Sequence, residues 1–234
     1  VSGGNHGLKL GKMPGGASVS SCVAALGKGE AVCVPTDTVY GLAVMASSKT
    51  SPEPLYLIKG RAAEKAIPWL VASLDDLCRF SCDLPTWAWR LAERHWPGGL
   101  TLVVRAAAAV PPQFVAADGS LALRMPRHEQ ALQLIQALGA PLACTSANLS
   151  GEVPVTRAEY LSQALLARVG WVLLEHEEVG GSASLSAAAN SPSVIVSQLP
   201  PAAPPLPSTI VSCLSDTPQI LRLGALPVEL LFED

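Results

Sequence analysis

The chain has 234 residues, 49% of them hydrophobic and 15% charged, with a formal net charge of -3. Such a chain buries a sizeable core, which excludes a disordered tail. Its slightly acidic balance excludes a protein whose whole surface grips nucleic acid, while leaving room for a local basic pocket. No apolar run reaches about 18 residues and no secretory h-region is present, so the expectation is a cytoplasmic protein without a membrane span. A removed organellar leader stays open, because the chain starts at Val1. The cysteines, Cys22, Cys33, Cys78, Cys82, Cys144 and Cys213, have no CxxC pair and no histidine partners at zinc spacing, and read as reduced core thiols.

In chain order, residues 1–16 are Gly-rich and lack periodicity, which predicts a flexible arm. Val19, Cys22, Val23 and Leu26 mark a helix face that stops at Gly27 to Gly29, and a strand follows over Ala31 to Pro35. Glu53 to Ile58 reads as a short helix and Ile67 to Ala72 as a strand. Leu84, Trp87 and Leu91 repeat at helical spacing behind Asp83 as cap and Pro85 in the first turn. Strands are expected at Leu100 to Arg105 and Leu121 to Arg124, then a helix over His128 to Leu138 with Leu132, Ile135 and Leu138 inward, closed by Gly139. A strand over Pro141 to Thr145 hands the chain to TSANLSG. Thr156 and Glu159 form a capping-box pattern that predicts a helix to about Arg168, followed by a strand at Trp171 to Leu174. From 180 to 207 the composition turns to Pro, Ala and Ser, with Ser193 to Ser197 as a strand candidate, before STIVS and ILRLG resume order. The alternation favours an α/β fold, a sheet of mixed or mainly parallel strands with flanking helices.

Four polar clusters interrupt these elements. VPTDTVYGL ends a strand in Thr36, Asp37, Thr38 and Tyr40; this pattern suits a small polar ligand at a strand end, or a turn held by local side-chain bonds. KGRAAEK places Lys59, Arg61 and Lys65 within one short run, which suits phosphate oxygens, or simply a solvated helix end. Arg124 in LALRMP closes an apolar strand after WPGGLTLVV, where a carboxylate, a phosphate or a rim salt bridge would pair with it. TSANLSG repeats the strand-to-hydroxyl pattern, so two such clusters with a basic loop between them could share one pocket. There is no Walker loop, GxGxxG, GxSxG or histidine-rich metal motif.

Taken together and in order, PTDTVYGL, KGR followed by a lysine, WPGGLTLVV, LRMP, TSANLSG, STIV and ILRLG resemble the YrdC/Sua5 family of L-threonylcarbamoyladenylate synthases over about Ala17 to Gly224. The resemblance implies a single domain over 17–234, a twisted α/β sheet around a large, positively lined cavity, with no room for a C-terminal Sua5 domain. It implies synthesis of threonylcarbamoyl-AMP and pyrophosphate from L-threonine, bicarbonate or CO2, and ATP. The product would pass to the tRNA threonylcarbamoyl transferase machinery for N6-threonylcarbamoyladenosine at position 37. By the same resemblance the KxR…SxN signature falls on Lys59, Arg61, Ser146 and Asn148, as catalytic and ATP-binding residues. Thr101, Ser208 and Arg222 would line the ATP side, and Thr36, Arg124 and Thr145 the L-threonine side. Magnesium would ride on the ATP phosphates without a protein cage, Asp37 being a secondary candidate to assist it. The chain departs from the family at Ala66, where proline is usual, at Pro68 and Trp69, and in the length of the Pro-rich segment. The competing readings are an RNA-binding module on the same concave basic surface, with tRNA as its ligand, a carbamoyl-adenylate domain like that of hydrogenase-maturation carbamoyltransferases, and a degenerate nucleotide binder.

Overall fold

The apolar runs of the sequence pair into one ten-stranded sheet. The structure is a computed structural model and describes residues 17–60, 67–174 and 205–231. The predicted arm over 1–16, the strand candidate Ser193 to Ser197 and most of the Pro-rich segment lie outside these residues. The elements are α1 (Val19–Gly27), β1 (Val32–Val34), β2 (Gly41–Met45), α2 (Glu53–Lys59), β3 (Trp69–Leu70), α3 (Asp75–Phe80), β4 (Ser81–Cys82), α4 (Thr86–His95) and β5 (Leu100–Ala106). They continue as β6 (Ser120–Arg124), α5 (Glu129–Leu138), β7 (Leu142–Ser146), α6 (Gln163–Leu166), β8 (Trp171–Val172), β9 (Thr209–Ser212), β10 (Gln219–Arg222) and α7 (Val228–Leu231).

Strand order is β10-β9-β5-β6-β3-β7-β2-β1-β8, with β4 also paired to β5. The pairs β1–β8, β3–β6 and β5–β9 are parallel and the others antiparallel, so the sheet is mixed and not mainly parallel. Local connections such as β1 to β2 and β5 to β6 reverse the chain and pair antiparallel. The parallel pairs join strands far apart in sequence.

Side chains alternate across each strand, and the two faces build two cores. One face supplies Cys33, Leu42, Val44, Trp69, Leu102, Leu123, Ala143 and Val211 to the larger core. There Trp69 meets Phe80 and Phe114 edge-on, with ring centroids 5.3 and 5.6 Å apart. The opposite face supplies Val32, Val34, Ala43, Leu70, Leu142 and Cys144, which pack against Cys22, Ala25 and Leu26 of α1 and Leu134 and Ile135 of α5. Leu70 and Cys144 stand at the border of that helical cover, because both also line a cavity on the same face.

Several expectations need correction. Asp83 does not cap α4: its φ is +51°, and Pro85 occupies the N-cap with no side-chain bond. The capping box at Thr156 does not form. Glu159 instead pairs with its neighbour Arg157 at 3.3 Å within a 3-10 turn over Ala158–Tyr160, and the short α6 is capped by Ser162, which accepts from Leu165 N at 3.3 Å. In α5 the buried face is led by Ala131, Leu134 and Ile135, and Leu132 is only partly covered. The elements α3, β4 and α7 are too short to leave a period in the sequence.

All six cysteines are unpaired, and Cys22, Cys33, Cys144 and Cys213 are buried. Burial pushes the Cys22 thiol up to about 11 and those of Cys33, Cys144 and Cys213 up to about 12, from an ordinary 9.0. The folded state thus holds these protons after the unfolded chain has released them. Stability is full below about pH 9 and falls as pH rises towards 12. Chemical denaturation under reducing conditions should give a lower unfolding free energy at about pH 10.5 than at about pH 8, with a smaller drop in Cys213→Ala. An equal drop in that variant would contradict the assignment.

Candidate active site

The uncovered part of the second sheet face is the floor of a cavity of about 460 Å3. Register explains its lining: Arg124 of β6 stands opposite Leu70 of β3, Leu70 opposite Leu142 of β7, and Thr101 of β5 opposite Ile210 of β9. One row across the sheet therefore presents Ile210, Thr101, Arg124 and Leu70 to the same space, with Cys144 further along β7. The cavity brings together Thr36, Thr101, Arg124, Thr145, Ser146, Ser208 and Arg222. Lys59 and Asn148 stand behind Ser146, and Arg61, with Lys65 and Ala66, lies outside the described residues. A wider surface groove of about 670 Å3 beside α2, lined by residues such as Glu53, Tyr56 and Leu57, holds none of the expected site residues.

Arg124 is 6% exposed and is satisfied by three groups from two separate segments. Its Nε donates to Gly98 O at 3.0 Å, Nη1 to Thr38 Oγ1 at 2.7 Å and Nη2 to Asp37 Oδ1 at 2.7 Å. Asp37 Oδ1 also accepts from Arg127 N at 2.9 Å, so this carboxylate serves as the counterion of Arg124 and is held in place by the backbone after β6. Burial pulls the guanidinium below its ordinary value, and the charge of Asp37 opposes that pull. A Cβ at Gly98 would stand 2.6 Å from the His95 carbonyl oxygen, so glycine is required where the chain turns its own carbonyl to Arg124. Thr36 holds the same loop: its Oγ1 donates to Val39 O at 2.7 Å and accepts from Thr38 N at 3.2 Å.

Lys59, the last residue of α2, is 5% exposed and does not extend into the cavity. Its Nζ donates to Ser146 O at 2.6 Å and Asn148 O at 2.8 Å, with Asn148 Oδ1 at 3.3 Å and Ser146 Oγ at 3.4 Å. These contacts tie the Lys59 ammonium to the 146–148 turn. The turn is fixed from its far side as well. Asn148 Nδ2 donates to Leu149 O at 3.0 Å and Glu152 O at 2.7 Å, and Glu152 Oε2 accepts from Leu149 N at 2.9 Å and Ser162 Oγ at 3.2 Å. The first and fourth polar clusters are neighbours in the sheet, with Gly41 opposite Ser146 and Ala147 N donating to Tyr40 O at 2.7 Å.

On the other side of the cavity, Thr101 and Ser208 share a hydroxyl bond of 2.7 Å. Arg222 donates from Nη2 and Nε to Ser208 O at 2.8 and 3.1 Å. Its direction depends on an irregularity: Ile220 pairs with Val211, yet Arg222 pairs with Ile210, which leaves Leu221 as the extra residue of a bulge. In an unbroken register Leu221 would face the cavity; the bulge delivers Arg222 there instead. Burial and then the charge of Arg124 depress the Arg222 guanidinium, so two cations sense each other across a space suited to an anion. The expected positive lining amounts, among the described residues, to these two arginines. No group of three or more His, Cys, Asp or Glu side chains among the described residues could hold a metal ion. No described helix is long and apolar enough to cross a membrane.

Sequence reasoning missed the supports, naming Thr38 only as a member of a polar cluster and the others not at all. Thr38 and Gly98 orient Arg124, and Glu152 and Ser162 brace Asn148. Thr38, Gly98 and Glu152 sit inside or beside a quoted motif, but what Thr38 and Gly98 hold lies far along the chain, and Ser162 belongs to no motif. Lys59→Met keeps the length of the stem and removes the donors, leaving the buried carbonyls of Ser146 and Asn148 without this ammonium. The expected outcome is a loss of about 1–3 kcal/mol in urea denaturation. Unchanged stability would show that Lys59 does not hold the turn.

The Sua5/YciO/YrdC family model, described as telomere recombination, matches residues 24–186. A threonylcarbamoyl-AMP synthase of Bacillus subtilis is 32% identical over 212 residues, covering 90% of this chain and 54% of that protein. The Pyrococcus abyssi threonylcarbamoyl-AMP synthase is 30% identical over 202 residues, covering 86% and 52%. The structure of P. abyssi Sua5 complexed with L-threonine aligns with a TM-score of 0.72 at 29% identity, over 92% of this chain and 57% of that one. The chain thus spans about half the length of the curated relatives it matches. It belongs to the Sua5/YciO/YrdC family.

Proposed function

We propose that this chain is a threonylcarbamoyl-AMP synthase, which joins L-threonine, bicarbonate and ATP into threonylcarbamoyl-AMP and releases pyrophosphate and water. The observation that carries the reading is the gathering, in one cavity, of Thr36, Arg124, Thr145 and Ser146 on one side and Thr101, Ser208 and Arg222 on the other. Two relatives named for this activity and a relative complexed with L-threonine support it.

In this reading Arg124, preset by Asp37, Thr38 and Gly98, receives the threonine carboxylate, and Thr36 and Thr145 flank the same end. The amine loses a proton and captures the one-carbon unit as a carbamate. A carbamate oxygen then attacks the α-phosphorus of ATP in line, the bond to the bridging oxygen breaks, and pyrophosphate leaves with that electron pair. No covalent enzyme intermediate is needed. Arg222, with the paired hydroxyls of Thr101 and Ser208, serves the nucleotide side and stabilises charge on the phosphates. Arg61 would join it from the loop after α2. Lys59 acts here as the fastener of the Ser146–Asn148 turn. Magnesium, carried by the ATP phosphates, would supply charge neutralisation there. The product would then be handed to the machinery that places the threonylcarbamoyl group on adenosine 37 of tRNA, in the cytoplasm.

The test is pyrophosphate release from ATP, magnesium and bicarbonate, with and without L-threonine. Threonine-dependent release is expected. Arg124→Ala should raise KM for L-threonine about 100-fold while leaving KM for ATP within about threefold. Release that ignores threonine would sink the reading, and salt-sensitive tRNA binding without turnover would put an RNA-binding role in its place.

A further inference from the structure

The cavity floor holds a thiol that none of the chemistry above uses. Cys144 is 7% exposed and lines the cavity between Leu70 and Ser146. Along the neighbouring strand, Gly41 stands opposite Ser146 and Ala43 opposite Cys144. A Cβ built on Gly41 would collide with the Cys144 Sγ, and the next atom, Val34 Cγ2, is at 3.2 Å. Gly41 is absent from the glycines with positive φ, so backbone conformation does not require it. What excludes a larger residue is the sulfur, which occupies the place of the missing Cβ and so lies down against β2.

The position of this pair within the cavity narrows its role. The thiol lies in the fields of both Arg124 and Lys59, between the carboxylate end of the cavity and the turn that carries Ser146. Burial outweighs both cations, and the group stays a neutral, soft surface. An amino acid with its carboxylate on Arg124 and its amine towards Ser146 spans the stretch of sheet floor between them, and its side chain meets that floor when it is directed down at the sheet. The floor there is Leu70 and Cys144.

We propose that Cys144, laid flat by Gly41, is the specificity-determining wall of the amino-acid subsite, which fits the methyl group of threonine and disfavours serine. The proposal rests on the synthase reading above. A methyl-sized difference against such a wall is worth about 10- to 200-fold in kcat/KM. Gly41 is the positioning residue, because its effect passes through the sulfur.

The experiment compares wild type, Cys144→Ala, Gly41→Ala and the double variant in pyrophosphate release driven by L-threonine or L-serine, with thermal unfolding as a check on each protein. Cys144→Ala should lower the threonine-to-serine preference about fivefold or more, with KM for ATP within about twofold. Gly41→Ala pushes the sulfur into the subsite and should raise KM for L-threonine about tenfold or more. Removing the sulfur as well relieves the collision, so the double variant should return to within about threefold of Cys144→Ala. An unchanged preference in Cys144→Ala, or a double variant as impaired as Gly41→Ala, overturns the wall while threonine-dependent release by wild type keeps the synthase reading intact. Wild-type release indifferent to threonine overturns both. If Gly41→Ala does not fold, Cys144→Val decides: enlarging the wall must raise KM for L-threonine more than KM for ATP, and equal changes overturn the proposal.

Discussion

A guanidinium at 6% exposure, on the edge of an apolar sheet face, is the constraint around which the site is built. Leaving such a charge buried without partners would cost several kcal/mol, so the surrounding chain must satisfy it. It does so with a carboxylate and a hydroxyl from the loop after β1 and a carbonyl from the turn before β5. Each partner is itself held: Asp37 also binds Arg127 N, Thr38 is tied to Thr36, and Gly98 fits only because it lacks a Cβ. The Arg124 network thereby fixes segments that are far apart in sequence, and it leaves the guanidinium preorganised at the cavity floor.

The cavity itself follows from sheet geometry. Two helices, α1 and α5, cover one part of a face whose residues alternate with those of the larger core. Where that cover ends, the same row changes from Leu142 and Leu70 to Arg124 and Thr101, from apolar contact to hydrogen-bonding groups. A sheet face closed at one end and open at the other is a natural ligand site, because rigid strands set the spacing of the groups on it. The two groups of polar residues in the cavity are then separated by strand count, with β6 and β7 on one side and β5, β9 and β10 on the other.

Two local features adjust this plan. The bulge at Leu221 reverses the parity of β10 and turns Arg222 towards Arg124, which creates a pair of cations sensing each other across the cavity. Lys59 works in the opposite sense: a cation drawn inward, bound by the backbone oxygens of the turn that presents Ser146. Arg124 and Arg222 line the open cavity, whereas Lys59 holds the turn behind it, so the two kinds of cation differ in placement.

The sequence by itself determined the elements with strong periods and the polar clusters at their ends. The helix over 19–27, the strands before Thr36 and Thr145, and the α5 helix with its Gly139 stop were all legible, because caps and alternating apolar residues are local signals. The family was legible too, since seven motifs occur in one order. The capping box at Thr156 misled, because a local pattern cannot register that Ser162 caps α6 and Glu159 pairs with Arg157. Nor could the sequence reveal that Lys59 turns away from the cavity, that Asp37 is the counterion of Arg124, or that Cys144 fills the space above Gly41. Those facts are set by register between strands distant in the chain. A one-residue slip, as the bulge in β10 shows, sends a side chain to the opposite face, and only the paired sheet decides which face that is.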